Sequence, residues 1–196
     1  MRLIRSGECR RMPWKNGGGE TIEIAVFPAG ASVHYFDWRL STATVATDGP
    51  FSSFPGVDRT LAVLEGEGID LDIAGRDPTR LTPAAPPHAF PADVPVAARL
   101  IDGPIRDLNL MTRRGRFAHE MRHHSAGRFE LVVPSHAETV VFCASGWTSV
   151  GGRTPVRLAP HDAAILSSAR HAVEISDGGS AFICSLQQAS SSQPSD

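Results

Sequence analysis

Lysine is almost missing from this 196-residue chain: Lys15 is the single lysine among nineteen basic residues, and the other eighteen are arginine. No Lys/Arg-rich run occurs and the formal net charge is -2, so the chain lacks the electrostatic footprint of a polynucleotide binder. Cysteine is also scarce. Cys9, Cys143 and Cys184 are odd in number and have no C-x-x-C spacing, which argues against a disulfide frame and reads as free thiols in a reducing compartment. No apolar run reaches the length of a membrane-spanning helix, and Met1–Ser6 lacks the apolar stretch of a signal peptide. A soluble cytoplasmic protein is the expectation, with no nucleic acid or membrane partner. Neither G-x-S-x-G nor a P-loop occurs, and Gly17-Gly18-Gly19 lacks the spacing of a dinucleotide fingerprint.

Long helical periodicity is absent as well, and what replaces it is an all-β pattern of short alternating segments broken by Gly, Pro and Asp turns. Ile22, Ile24 and Val26 alternate with Thr21, Glu23 and Ala25, while Phe36, Trp38 and Leu40 alternate with Asp37, Arg39 and Ser41. Ile69-Asp70-Leu71-Asp72-Ile73 is the cleanest strand, with its acids expected to face water. Further strands are expected near 60–64, 94–101, 105–113, 117–123, 129–133, 139–144, 155–158, 163–167, 172–176 and 181–187. Helix is expected in under roughly 10% of residues. A weak repeat is visible: Leu61-Ala62-Val63-Leu64, Gly66 and Arg80-Leu81-Thr82-Pro83 resemble Val140-Val141-Phe142-Cys143, Gly146 and Arg157-Leu158-Ala159-Pro160, as duplicated β units would.

The segment Trp14-Lys15-Asn16-Gly17-Gly18-Gly19-Glu20-Thr21 puts the sole lysine between an indole and three glycines. Consecutive glycines are costly to order and suit a backbone that takes positive φ or approaches something closely, and such a turn can aim N–H groups at an anion. A flexible hairpin loop is the plainer reading.

Four blocks in order carry a resemblance: Trp14 through Gly19, Phe36-Asp37-Trp38-Arg39-Leu40-Ser41, Gly49 through Arg59, and Asp107-Leu108-Asn109-Leu110-Met111-Thr112-Arg113-Arg114. Together they resemble the HutD/Ves family over most of 12–114, with a looser second β unit following. The resemblance implies a bicupin, two small antiparallel jelly-roll barrels in one chain of the RmlC-like cupin type, divided here as 1–114 and 115–188 with a disordered tail over 189–196. It also implies a link to bacterial histidine utilisation through binding of a small anionic intermediate such as N-formylglutamate, in a regulatory role. Phe90-Pro91-Ala92-Asp93 departs from the family pattern, which usually has glycine at the position of Ala92.

Catalytic cupins present H-x-H with a nearby carboxylate and a later histidine, but this chain has no H-x-H and no histidine at all over 49–66. No metal and no other cofactor is therefore expected. His119-Glu120-Met121-Arg122-His123 satisfies H-E-x-x-H, the zinc-hydrolase pattern that needs a helix. Gly115 and Gly127 bracket it, and Phe117, His119, Met121 and His123 fall at strand parity, so a strand carrying histidines is expected instead. Cys9 as a nucleophile has no supporting constellation, since a lone cysteine near a terminus is more often inert.

The residues suited to recognising a carboxylate are Lys15, Asn16, Arg39, Arg59, Asn109 and Arg113, with Asp58 and Asp107 as orienting partners. Arginine grips a carboxylate through two hydrogen bonds and stays charged. Strand parity groups Asp107, Asn109, Met111 and Arg113 on one face and Asp37, Arg39 and Ser41 on another, either as a pocket or as wet strand faces. Trp14, Phe51 and Phe54 supply aromatic walls, and Gly17, Gly18 and Gly19 supply backbone donors. The expectation is a binding protein for a small anionic metabolite. One alternative is a cupin-type isomerase or hydrolase with Lys15 or Asp107 in acid/base work, and another is an interaction module that forms a homodimer through an exposed sheet.

Overall fold

The computed structural model describes residues 1–14, 17–152 and 154–189. In chain order the strands are β1 (Arg2–Ile4), β2 (Arg10–Pro13), β3 (Gly19–Phe27), β4 (Trp38–Val45), β5 (Gly49–Pro50), β6 (Val57–Glu65), β7 (Ile69–Ile73), β8 (Thr79–Leu81) and β9 (His88–Pro91). They continue as β10 (Val96–Leu100), β11 (Ile105–Arg113), β12 (Phe117–Val133), β13 (Ala137–Ser145), β14 (Thr148–Gly151), β15 (Val156–Leu158), β16 (Ala163–Leu166) and β17 (Ala169–Gln188). A 3-10 turn at Ser6–Glu8 is the sole helical element among the described residues, in line with the all-β expectation.

Three antiparallel sheets result. One runs β2-β3-β4-β11-β6-β9, a second runs β5-β10-β7-β8, and the third runs β1-β16-β13-β17-β14-β15 with β12 added along β17. Strand parity then sorts the core. Leu61 and Val63 of β6, Ala43 and Val45 of β4, and Ile105 of β11 point toward Ile69, Leu71 and Ile73 of β7 and Val96 and Ala98 of β10, so the small sheet covers one face of the six-stranded sheet. Trp38, Leu40, Leu108 and Leu110, at the alternate positions, turn the other way and meet Val140, Phe142, Phe182 and Leu186. That second cluster joins the two halves of the chain. A third cluster collects residues from every strand of β12 through β17, among them Val133, Val141, Val150, Leu158, Leu166 and Ile175, so the seven-stranded sheet curves around a core of its own.

The repeat seen in the sequence falls on corresponding structure. β6 and β13 are the two apolar strands, Gly66 and Gly146 both take positive φ after them, and β8 and β15 are the short strands that end in Leu81 and Leu158. Asp72 is exposed and Asp70 is held by Arg80, so the acids of β7 do face solvent.

Several expectations are refined by the register. The segments 117–123 and 129–133 are one strand, as are 172–176 and 181–187, because β12 and β17 pair along their length and absorb the break as a bulge between Ser125 and Gly127. The simple alternation expected for 21–26 fails at a bulge between Glu23 and Ala25, which turns both Ile24 and Ala25 into the core. β1 is hydrogen-bonded to β16 of the third sheet, on the far side of a division at 114. Ala189 is tied down, its N–H donating to Arg116 O at 2.9 Å, while 190–196 lie outside the described residues. All three cysteines are free, and Cys143 and Cys184 are buried.

Candidate functional site

The inner face of the six-stranded sheet, where the small sheet covers it, is apolar at one end and polar at the other. Cross-strand register makes the polar end. Arg39, Met111 and Arg59 stand side by side across β4, β11 and β6, and Ser41 and Asn109 form the neighbouring row with Leu61. Glu23 on β3 faces Ser41, and Asp107 faces Ala43. Parity alone suggests a wet strand face here, yet Arg39, Ser41, Arg59, Asp107, Asn109 and Met111 are all buried, with Phe51, Phe54 and Phe90 around Arg59 and Phe36, Val57 and Ala92 clustered with Met111.

Each polar group has a distinct environment. Arg39 Nε donates to Glu23 Oε2 at 2.8 Å and its Nη1 to Ser41 Oγ at 3.3 Å, so this guanidinium is neutralised within the protein. Asp107 Oδ1 accepts the Ala43 N–H at 3.1 Å and Asn109 Nδ2 at 2.6 Å. Burial still dominates: it pushes the Asp107 carboxyl up to about 7, against the opposing pull of Arg59 and these two hydrogen bonds. Arg59 is 6% exposed. Its Nη2 reaches only Met111 Sδ, at 3.5 Å, and its Nε has no acceptor. Phe51, Phe54 and Phe90 surround the guanidinium, with ring centroids 5.3, 5.3 and 5.9 Å from its central carbon. Desolvation lowers its pKa to about 10, which leaves it charged at neutrality. No carboxylate of the described residues lies within ion-pair distance of it. Phe51 and Phe54 are only half-buried, so the buried charge sits one side chain beneath the surface.

The glycine segment borders the same sheet. Gly17 takes φ +70 and donates its N–H to Trp14 O at 3.0 Å. Gly18 O accepts the Ala46 N–H at 2.9 Å. At Gly19 a Cβ would stand 2.1 Å from Thr44 O and 3.1 Å from the Trp14 ring, so close approach is what requires glycine there. Trp14 Nε1 donates to Thr21 Oγ1 at 2.8 Å and its ring packs on the inner cluster. Lys15 and Asn16 lie outside the described residues.

The structure thus brings together Arg39, Ser41, Phe51, Phe54, Arg59, Asp107, Asn109 and Met111. It leaves apart Trp14, Gly17, Gly18 and Gly19, at the Val45 end of β4, as well as Asp58 and Arg113. Asp58 points the opposite way from Arg59 and pairs with Arg114 at 2.9 Å. Arg113 is spent on the carbonyls of Phe36 at 3.0 Å and His34 at 3.2 Å. Glu23 and Phe90 complete the cluster without standing out in the sequence; the parity of Thr21 and Glu23 opposite Ala43 and Ser41 is the signal that points to Glu23.

His119 and His123 are on strand β12 rather than a helix. Four residues of strand separate them by roughly 13 Å, too far for one ion, and Glu120 projects to the other face. His119 is instead half-buried between two threonines, Nε2 with Thr60 Oγ1 at 2.8 Å and Nδ1 with Thr112 Oγ1 at 2.6 Å, and desolvation lowers its pKa to about 4. A larger cavity of about 420 Å³ opens beside Leu64, His123 and Phe182. No charged side chain lines it, so the arginine cluster and not this cavity has the chemistry for an anion.

The family model of HutD matches residues 6–183. An uncharacterized 21.2 kDa protein of the hutC 3′ region of Pseudomonas putida is 37% identical over 165 residues, 83% of this chain and 84% of that one. HutD from Pseudomonas fluorescens SBW25 has a similar structure, with a TM-score of 0.81 at 33% identity over 95% of this chain and 98% of that one. A cupin 2 conserved barrel domain protein from Leptotrichia buccalis aligns with a TM-score of 0.54 at 11% identity over 91% of this chain and 96% of that one, a likeness of fold alone. The fold is therefore all-β and cupin-like.

Proposed function

The chain belongs to the HutD family, and on that premise we propose that it is a metal-independent bicupin that binds a small organic anion inside its first unit. The observation that carries this reading is Arg59. A guanidinium 6% exposed, with an orphaned Nε and no carboxylate partner among the described residues, is a cost that a bound carboxylate would remove. Arg39 differs because Glu23 already neutralises it, which suits a positioning role beside Ser41 and Asn109. The aromatic surround of Phe51, Phe54 and Phe90 excludes water from the ion pair that would form.

The two units are 1–114 and 115–188, with β1 crossing to the second. The ligand is a histidine-degradation intermediate such as N-formylglutamate, in keeping with the hutC-region location in the name of the Pseudomonas putida relative, and the role is regulatory, in the cytoplasm. Lys15 and Asn16 are proposed as further donors to the anion, whereas Trp14 and Gly19 sit at the Val45 end of β4, away from Arg59. Titration calorimetry with N-formylglutamate tests this. Arg59→Gln is expected to weaken binding by about 2–5 kcal/mol, the range for a buried charge pair that loses one partner. Parent-like binding by a folded Arg59→Gln protein removes the assignment.

Asp107 favours a second reading. A buried carboxyl with a pKa of about 7 is poised for proton transfer, as an isomerase or hydrolase would need. Turnover of the bound anion that disappears in Asp107→Asn, with binding retained, would establish it.

A further inference from the structure

The N-terminal segment passes from one half of the molecule to the other, since β1 pairs with β16 and β2 pairs with β3. Where it crosses, the turn after Arg5 roofs a cavity of about 140 Å³ walled by both halves. Its floor is apolar and includes Phe142. Its polar side chains are Ser6, Cys9, Arg11, Thr42, Arg106 and His161. Every one of these can donate a hydrogen bond, and none is a carboxylate. The acids that contact these residues are outside the lining, Asp162 among them, its Oδ1 accepting the Ser6 N–H at 2.9 Å. Glu65, with a side chain 54% exposed, holds Arg106 Nη1 at 3.1 Å and His161 Nε2 at 3.3 Å, and Glu20 holds Arg11 at 3.0 Å.

His161 sets this cavity apart from an incidental gap. It is the sole non-glycine residue with positive φ, +69, among the described residues. Its backbone N–H donates to Cys143 O at 2.7 Å, a bond that glycine would make equally well without strain. The turn therefore does not account for an imidazole at this position, and backbone strain held at one residue points to what its side chain does. The ring stacks on Phe142, with centroids 6.0 Å apart and planes 5° from parallel, and Arg106 Nη1 donates to Nδ1 at 3.2 Å. Those contacts fix the Nε2–H tautomer and align the Arg106 guanidinium.

We infer that this junction cavity is a second binding site, for a small oxyanion gripped by Arg106 and Arg11 and walled by His161. The volume supports the class. At roughly 30 Å³ per water, about 140 Å³ holds about five waters or one tetrahedral or short carboxylate anion. Metabolite pockets usually run to several hundred Å³, so the ligand proposed for the first unit is too large for it. The site is independent of that reading.

Phosphorus NMR titration of inorganic phosphate into the full-length chain, with acetate as competitor, tests the inference. Phosphate is expected to bind in the millimolar range or tighter, and a site that prefers short carboxylates shows itself by acetate displacing it. Arg106→Gln and the more exposed Arg11→Gln should each weaken binding by about tenfold or more, the loss of one charge-assisted hydrogen bond. His161→Gly, which relieves the backbone, should also weaken it while the protein stays folded by circular dichroism. Three results overturn the inference: no phosphate or acetate binding at millimolar concentrations, binding unchanged in both arginine variants, or binding abolished by Arg59→Gln, which would place the anion in the first-unit cluster. Should Arg106→Gln fail to fold, Arg11→Gln alone decides.

Discussion

Burial shifts both Asp107 and His119 toward their neutral forms, yet they act on stability in opposite directions. Asp107, raised to about 7 from an ordinary value near 4, is protonated more readily in the folded chain than in the unfolded one. Stability is therefore lost as pH rises through that window. His119, lowered to about 4 from near 6.5, binds its proton more readily when unfolded, so stability is lost as pH falls through 6.5 toward 4. Between pH 4 and 6.5 the two slopes offset one another. Asp107→Asn removes one of them. It is expected to gain on the order of 2 kcal/mol over the parent above pH 7 and to show the rise with pH that His119 causes, measured by urea unfolding from pH 4 to 8. Equal slopes in variant and parent would contradict the burial of Asp107 as a neutral acid. At this scale much of the candidate cluster was legible: the motif blocks named Arg39, Ser41, Arg59, Asp107 and Asn109, and alternation put Asp107 and Asn109 on one face and Arg39 and Ser41 on one face. Whether those faces are wet or dry was not legible, because side chains from other segments decide it, Phe51, Phe54 and Phe90 around Arg59 among them. Glu23 was hidden for a similar reason, since only its register against Ser41 reveals which way it points.

Among the elements, the end of the β3–β4 pairing is tight at one position. Gly19 opposes Val45, and a methyl group there collides with Thr44 O and with the Trp14 ring. Gly19→Ala is expected to cost about 1–3 kcal/mol, the usual range for overpacking, read from the urea midpoint. A parent-like midpoint would show that the strand end yields freely. β12 bears on metal content. With His119 engaged by Thr60 and Thr112, and His123 roughly 13 Å along the strand, elemental analysis of protein purified without chelator should find no stoichiometric zinc. Zinc that disappears when both histidines are changed would reverse that. Alternation and turn residues were sufficient to locate β4, β7, β11 and β13. They could not locate β1 or β5, whose three and two residues carry no period of their own and exist because a neighbour offers hydrogen bonds; β8 was located only through the repeat. Nor could they foresee the bulges, which local sequence does not encode as a break in hydrophobicity.

The whole molecule is held together by the cluster shared between its halves. Leu110 and Leu108 from one sheet and Phe142 and Phe182 from the other are buried against one another, so neither half keeps its core when the other unfolds. Leu110→Ala should therefore cost about 2–5 kcal/mol. The loss should appear in a single unfolding transition with coincident tryptophan fluorescence and circular dichroism. Two resolved transitions, only one of them displaced, would mean that the halves are energetically separate.

The strand at the very start of the described chain has a consequence for the order in which the protein is made. Arg2, Leu3 and Ile4 leave the ribosome long before their partners Ile165, Ala164 and Ala163. At about 5–20 residues per second, that first strand waits on the order of 10–30 s with its edge unpaired. The six-stranded sheet lacks nothing beyond residue 113 for its pairing and can assemble in the meantime. Closure of the junction, with its small cavity, is then a late event that finishes the molecule only after the second half has been synthesised.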